Sequence, residues 1–532
     1  MSAKMASPGR LQQVAKKSRR AQEKLTQTIV QEGSETAAAQ AAAAAVAACV
    51  TEASLTAAEI NSWHQDMRQR LDKIIADPEK NLGFIEVQVA ESSNELLRLL
   101  TQRAAQAKAN ATVFHCPDCH GLLGREHTIG RTVRSRYGEF KVYRHHGYCG
   151  ACEAWHFPAD LALGLQPHCS ASPYLQEVTA LLGSKMPSEQ AAQVAERFGL
   201  DLSGSFIHRQ ALRQGIKAQG VRQARLEELS TWEGLQGLAK TEPATGPFTL
   251  VIEIDAWNIR ERDHWGQTEA VREQAAKDKT EIPSSWHWVY VGTVFRLDHR
   301  AQTAGGRAVI SQRGYVCTRL GIKALMRQLY RQAIDCGLGQ AKDVLVVADG
   351  AVWIWNAACD RFPQARSRLD LYHADQHLWE VAHDLYGRGT PEARAWVEPL
   401  LKNVRRDEHQ TLIRRLEEIQ SEAHKKLQVK IQKHIDYFED NANRMNYGEI
   451  IAARKAIQKG TATRAQEVKA SEPLGSGAIE STCRQYQCRF KRTGQFWSLK
   501  GDEALMCLET FWRNGQWHLL FPHAKPPPNA NN

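Results

Sequence analysis

Asp255, Asp349 and Glu480 stand where short metal-binding acids would be needed. Asp255 ends the apolar run Phe248-Thr-Leu-Val-Ile-Glu-Ile-Asp255, Asp349 ends Val344-Leu-Val-Val-Ala-Asp349, and Glu480 closes Leu474-Gly-Ser-Gly-Ala-Ile-Glu480. Two aspartates at strand ends and a glutamate on a helix suit a two-metal phosphoryl-transfer site. Ions about 3.5–4 Å apart need hard oxygen ligands that leave room for a phosphate. An aspartate at a strand end is also a common first residue of a turn, so the acids gain weight only from the elements that carry them.

Those elements follow in an order that can bring the acids together. After Asp255 the chain reads as a loop over 256–262, then as extended runs over 288–297 and 307–317, a helix over 321–336, and the strand ending at Asp349. Three strands, a helix and a fourth strand are the layout of an RNase H-like core, an α/β mixed sheet whose first and fourth strands lie side by side. Gly475-Ser476-Gly477 reads as a turn with a serine cap. Residues 478–489 read as a helix with Glu480 in its first turn, where the helix dipole favours a carboxylate. The basic run that follows offers Arg489, Lys491 and Arg492 to phosphates, and Phe496 or Trp497 to an unpaired base. The alternative is a solvated helix end with its aromatics packed inward.

The ordered set Ile254-Asp255, Ala348-Asp349-Gly350, Leu369-Asp370-Leu-Tyr-His373 and Gly475-Ser-Gly-Ala-Ile-Glu480, followed by Arg489-Phe-Lys-Arg-Thr-Gly-Gln-Phe-Trp497-Ser498, resembles bacterial insertion-sequence transposases of the DDE type, specifically the ISKra group. The resemblance covers most of the chain from about Cys116 onward. It implies that Asp255, Asp349 and Glu480 are the catalytic acids and hold two Mg²⁺ or Mn²⁺ ions. The pattern departs at Ala256, where glycine is expected, a change that ordinary backbone angles tolerate. Asp370-Leu-Tyr-His373 looks like the Asp-x-x-His signature of Mutator-like transposases. There His373 would orient an acid or touch the scissile phosphate and Asp370 would fix its tautomer; a satisfied structural histidine is the alternative.

Upstream, Cys116-Pro-Asp-Cys119 and Cys149-Gly-Ala-Cys152 can close a tetrahedral Zn²⁺ site without an open position, which is structural chemistry. The intervening residues fit a zinc ribbon with hairpin strands over 128–137 and 139–146. Its Arg125, Arg131, Arg134, Arg136, Lys141 and Arg144 are candidates for gripping DNA. Three short helices are expected over 173–182, 188–198 and 205–214, either a helix-turn-helix variant presenting Arg209, Arg213 and Lys217 to DNA or a small helical linker.

The chain of 532 residues divides on this reading into a helical, low-complexity N-terminal region (1–110), a zinc ribbon (111–170), a helix-turn-helix-like domain (171–235), the first part of the core (236–375), an all-helical insertion that clamps DNA or merely covers the core (376–465), the final part of the core (466–525) and a disordered tail (526–532). Lys16-Lys-Ser-Arg-Arg20 followed by alanine-rich 37–50 imitates a secretion signal, but acids interrupt it and alanine is a weak core for one. A net charge of +10 favours a polyanionic partner, and no apolar run reaches membrane-spanning length. The expected partners are double-stranded DNA, as element ends and target, and further copies of the chain, in the cytoplasm at the nucleoid. Two rivals stand beside the transposase: an RNase H-like endonuclease that cuts without joining, and a non-catalytic zinc-ribbon DNA-binding protein derived from such an element.

Overall fold

A computed structural model describes residues 54–124, 127–239, 246–262, 268–279, 286–302 and 308–524. The N-terminal basic and alanine-rich segments, Arg125 and the tail from 526 lie outside the described residues. The chain forms two compact units, one from residues 1–179 and 189–204, the other from 180–188 and 205–532.

In the first unit, helix α1 (Ala57–Ile75) starts at a capping box in which Thr56 and Glu59 satisfy each other's orphan backbone donors. It lies against α2 (Leu82–Ala111), where the Trp63 indole donates to the Ser92 carbonyl at 2.8 Å. Strands β1 (His127–Ser135) and β2 (Gly138–Cys149) form an antiparallel hairpin, and β3 (Ala154–His156) joins the free edge of β2. Val133, Phe140 and Val142 leave the hairpin on one face and bury against Ala109, Ala159 and Leu165, the latter two in and just after the short helix α3 (Pro158–Ala162). Helices α4 (Pro173–Lys185) and α5 (Ser188–Arg197) follow. The third helix of the group, α6 (Gly204–Glu227), belongs from Ser205 onward to the second unit and runs far past residue 214, and α7 (Trp232–Ala239), also of the second unit, comes after it. Gly215 does not break α6, because a side chain there would meet the Ala504 backbone at 2.6 Å; the glycine allows close packing.

The second unit is built on a five-stranded mixed sheet. Its strands are β4 (Thr249–Arg260), β5 (Trp286–Arg296), β8 (Gly314–Thr318), β9 (Asp343–Ala348) and β10 (Arg366–Leu369), in the order β10-β9-β4-β5-β8. β4, β9 and β10 are parallel, whereas β5 is antiparallel to both β4 and β8. The stretch read as a loop after Asp255 is instead the second half of β4: Trp257 and Ile259 are buried and alternate with Asn258 and Arg260, a period-two pattern. The single strand expected over 307–317 is two, β7 (Ala308–Ile310), which pairs with β6 (Arg300–Gln302), and β8. Helix α8 (Thr268–Asp278) lies between β4 and β5 in sequence.

Apolar side chains of α9 (Ile322–Asp335) and α10 (Val352–Arg361) cover the sheet; Gly292 of β5 admits Leu329, which would stand 2.7 Å from an added Cβ. After β10 the described residues form helices: α11 (Leu371–Tyr386), α12 (Pro391–Arg405), α13 (His409–Glu422), α14 (Lys425–Asn441), α15 (Gly448–Gln458) and α16 (Arg464–Ser471). Leu378, Val397, Leu412 and Ile431 on four of these helices join the same buried cluster as the sheet. The chain then returns through α17 (Gly477–Phe490) and α18 (Leu499–Arg513), which bury Ile479, Cys483, Tyr486, Leu505 and Leu508 against Trp257, Val289 and Val291. Among the described residues, no helix is long and apolar enough to cross a membrane.

Candidate functional site

Strand register places three acids side by side. Glu253 of β4 pairs with Val347 of β9, so Asp255 and Asp349, each two residues farther on, stand at the same level. Ala348 pairs with Leu369 of β10, and the next residue, Asp370, donates its N–H to the Ala348 carbonyl at 2.8 Å. Asp255, Asp349 and Asp370 thus cross the same level of three parallel strands.

Each is held differently. Asp255 accepts the Ala256 N–H at 2.6 Å and the Cys483 thiol at 3.4 Å. Ala256 lies in regular strand and is not among the positive-φ residues, so it costs nothing where glycine is expected. Asp349 follows β9, accepts the Ala351 N–H at 3.0 Å, and gives its carbonyl to the Tyr437 hydroxyl at 2.9 Å. Gly350 is required beside it: its φ is +101°, and a Cβ would meet Tyr437 at 2.6 Å. Asp370 caps α11 through the Tyr372 and His373 N–H groups at 2.6 and 3.0 Å. Its other oxygen takes the N–H and hydroxyl of Ser476, both at 2.5 Å. Burial alone would raise the Asp370 carboxyl, but the hydrogen bonds from His373 and Ser476 reverse this and hold it at about 2.

Glu480 arrives from α17, and the start of that helix is tied to the sheet. Ser476, expected to cap it, makes no side-chain cap; its hydroxyl is spent on Asp370. Glu253 does the work from β4, accepting the Ile479 N–H at 2.7 Å, while Arg313 donates to the Ala478 carbonyl at 3.2 Å. Gly475 lets the loop approach, since a Cβ would meet Tyr372 at 2.7 Å and Asp370 at 3.0 Å. Buried Arg368 anchors the same loop through Glu472 at 2.6 Å and the Pro473 carbonyl at 3.1 Å.

The result is a cluster of like charges. Burial raises the Asp255 carboxyl, with the Asp349 charge adding to the effect, and burial followed by the charges of Asp370 and Asp255 raises Glu480. The neighbouring Asp370 carboxylate raises His373, helped by the Asp349 and Glu480 charges; His373 Nδ1 stands 3.6 Å from Asp370 Oδ1, longer than a hydrogen bond. Asp370, His373 and Glu480 each bring a ligand atom within 4.8 Å of the others. The trio Asp255, Asp349 and Glu480 expected to hold the metal is not among the groups that close to that distance. Such a cluster is stabilised by a cation, and hard oxygen donors suit a divalent one.

Glu253, Cys483 and Tyr437 are the residues that the sequence reading missed. The signal for the first was its period-two spacing to Asp255, and for the second its i+3 spacing from Glu480 on one helix face; Tyr437 carried none. Burial pushes the Glu253 carboxyl up to about 8, against the pull of the Ile479 N–H and the Arg313 charge. The folded chain therefore binds this proton more tightly than the unfolded chain, whose carboxyl has an ordinary value of 4.5. Stability from this group is complete below that ordinary value and is lost as pH rises through about 8. Glu253→Gln keeps an acceptor for Ile479 and cannot ionise, so it is expected to flatten the fall in thermal midpoint between about pH 5 and 8. An unchanged slope in melting curves of the two proteins would remove Glu253 as the titrating group.

The expected DNA-facing residues divide. Lys491 and Arg492 are exposed, as is Arg209 on α6, while Arg213 is half-buried. Arg489 is buried and donates to the carbonyls of Gly183 and Ser184 at 2.8 and 3.1 Å, so it packs the unit and does not face a phosphate. Trp497 is half-buried, with its indole N–H on the Phe490 carbonyl at 2.8 Å, its ring against Phe490 and Arg489, and its backbone bridged to Glu261 just after β4, so it packs inward. Lys217 reaches the Leu520 carbonyl at 2.7 Å and not a groove.

In the first unit, the sulfurs of Cys116, Cys119, Cys149 and Cys152 converge, with contacts of 3.7 Å between Cys116 and Cys152 and 3.4 Å between Cys119 and Cys149. All lie within 4.8 Å of one another and none is in a disulfide; the group could hold a metal ion and is consistent with structural zinc. The Cys152 N–H pulls the Cys149 thiol down to about 7, toward the thiolate that binds metal. Of the ribbon's cations, Arg131 and Arg144 converge on Asp160 at 2.7 and 2.5 Å, and Arg134 pairs with Glu139 at 2.7 Å, so these three brace the fold. Lys141 is exposed, and Arg136 lies over the rings of Tyr137 and Tyr174.

Residues 335–519 match the model of an uncharacterised protein family (UPF0236). The matched segment contains Asp349, Asp370, His373 and Glu480 and leaves out Asp255 and the converging Cys116, Cys119, Cys149 and Cys152. Among curated proteins, none matches the chain.

Proposed function

We propose that this chain is an insertion-sequence transposase of the DDE type, a polynucleotidyl transferase on an RNase H-like core that cuts at element ends and joins the freed 3′ hydroxyl to target DNA. The observation that carries the reading is the acidic row at one level of three parallel strands, with Glu480 brought against it by a helix that Glu253 and Asp370 hold in place. The sheet order, with the first and fourth core strands adjacent and the second antiparallel, supports the RNase H-like assignment. The net charge of +10 supports a nucleic-acid partner.

Asp255, at the β4 end of the row, would hold divalent cations together with Asp349, its central member, and Glu480. Bound Mg²⁺ or Mn²⁺ would activate the attacking water or 3′ hydroxyl and stabilise the leaving oxygen. Asp370, 3.6 Å from His373 Nδ1, would favour the charged ring, which could then meet a phosphate oxygen. No protein nucleophile is needed. The active complex on this reading is a homo-oligomer on double-stranded DNA at the nucleoid, with the cysteine site holding structural zinc.

The test is Mg²⁺-dependent cleavage and joining on a plasmid that carries the DNA flanking this gene, comparing the natural chain with Glu480→Gln. Joined products that disappear in the variant support the transposase. Cuts without joined products in the natural chain would make it an endonuclease. Equal joining by both proteins would take Glu480 out of the site, and a footprint without nicking would point to a DNA-binding derivative.

A further inference from the structure

The far end of the β4–β5 pair carries aromatic surface that the acidic site does not use. Trp286 and Trp288 are 49% and 53% exposed, although large aromatics normally bury. Two residues apart on β5, they leave the same face of the sheet, and register places Arg260 opposite Trp286 and Asn258 opposite Trp288. The row continues through Tyr290, whose ring meets Trp353 edge-on at 5.4 Å; Trp353 lies in the first turn of α10, four residues after Asp349. Cations line it. Lys491 Nζ stands 5.8 Å from the centre of the Trp286 ring, and Arg260 and Arg262 lie 4.9 and 5.4 Å from the Phe496 ring.

Half-exposed indoles at a two-residue strand spacing, bordered by basic side chains, suit successive bases that have left a stack while their phosphates meet the cations. A duplex hides its base faces and offers only edges. We infer that Trp286 and Trp288 form a stacking platform for single-stranded DNA, with Arg260 and Lys491 on its phosphates, leading toward the Asp349 loop. The inference rests on the reading of that acidic site as a DNA-processing centre and adds that the strand it receives is locally unpaired.

The test is anisotropy of dye-labelled oligothymidylate and of a duplex of equal length, with full-length natural chain, Trp286→Ala/Trp288→Ala, Trp286→Phe/Trp288→Phe and Asp255→Asn. The alanine pair is expected to weaken single-strand binding by about 5- to 150-fold per tryptophan, with phenylalanine restoring most of it and duplex affinity unchanged. Lys491→Gln should lower the salt dependence by about one phosphate contact. Asp255→Asn should bind like the natural chain. Equal single-strand affinity in the natural and alanine proteins overturns the platform. So does a loss of self-association in sedimentation, which would make the tryptophans a contact between copies, and so does stronger tryptophan-dependent binding of oligouridylate, which would make the ligand RNA. Tryptophan-dependent single-strand binding in a chain that neither cuts nor joins would keep the platform and discard the transposase.

Discussion

Asp255→Asn is expected to lower cleavage and joining by at least about a hundredfold while DNA binding stays within about twofold of the natural chain. The reason is charge. Asparagine keeps the shape and can still accept the Ala256 N–H, but it removes a negative oxygen from the acidic row beside Asp349. Metal-assisted stabilisation of a phosphoryl transition state is worth several kcal/mol, and each 1.36 kcal/mol is tenfold in rate. Losing one charge also relieves the like-charge repulsion that helps raise Asp255, so the folded chain should melt no lower, and slightly higher, than the natural one. Activity lost without stability lost is the signature of a functional acid. A parallel fall in DNA binding and melting temperature would instead make Asp255 a packing residue, and undiminished cleavage would end the three-acid reading.

If the cysteine group of the first unit holds zinc, its removal is expected to be the larger structural effect. Cys116 and Cys149 are buried with their sulfurs beside those of Cys119 and Cys152, and the thiolates that repel without a cation are neutralised by one. Structural zinc contributes on the order of 10–16 kcal/mol in small domains, more than this short hairpin core, centred on Val133, Phe140 and Val142, supplies by burial alone. Cys116→Ser, or a strong chelator on the natural chain, should therefore release bound zinc and abolish amide-exchange protection across β1, β2 and β3. The five-stranded sheet of the second unit keeps its own core and its protection. Zinc analysis with exchange mass spectrometry reads both. Full protection of the hairpin in metal-free protein would show that the cysteines pack without an ion.

How much of this was legible beforehand depends on the distance over which each residue's role is set. Asp255 and Asp349 stood out because each follows a short run of apolar residues, a local pattern that burial of a parallel strand imposes. The cysteine pairs stood out because ligand spacing is also local. The continuation of β4 past Asp255 was hidden: Trp257 and Ile259 alternate with polar residues, but Asn258 and Arg260 resemble loop chemistry until the β5 partner is seen. The 307–317 run was misread for the opposite reason, since its apolar residues continue across a break between two strands.

Charged residues show the limit most sharply. Arg489 belongs to a basic run and reads as a phosphate ligand, yet its guanidinium is used by carbonyls 305 and 306 residues earlier in the chain. Arg131 and Arg144 look like a basic ribbon face until Asp160 is placed between them. Glu253 looks like one more strand residue, and only the return of α17, 226 residues later, makes it that helix's cap.

The amino-acid sequence by itself determined the acids, the thiolate donors and the strands and helices that carry them, because residue type and short-range periodicity are written locally. Only the tertiary structure decided which cations face solvent, which acids share a pocket, and which helix end is held against the sheet. Those outcomes depend on burial and on partners far away in the chain, and desolvation makes a charge with a distant partner behave unlike the same charge in water.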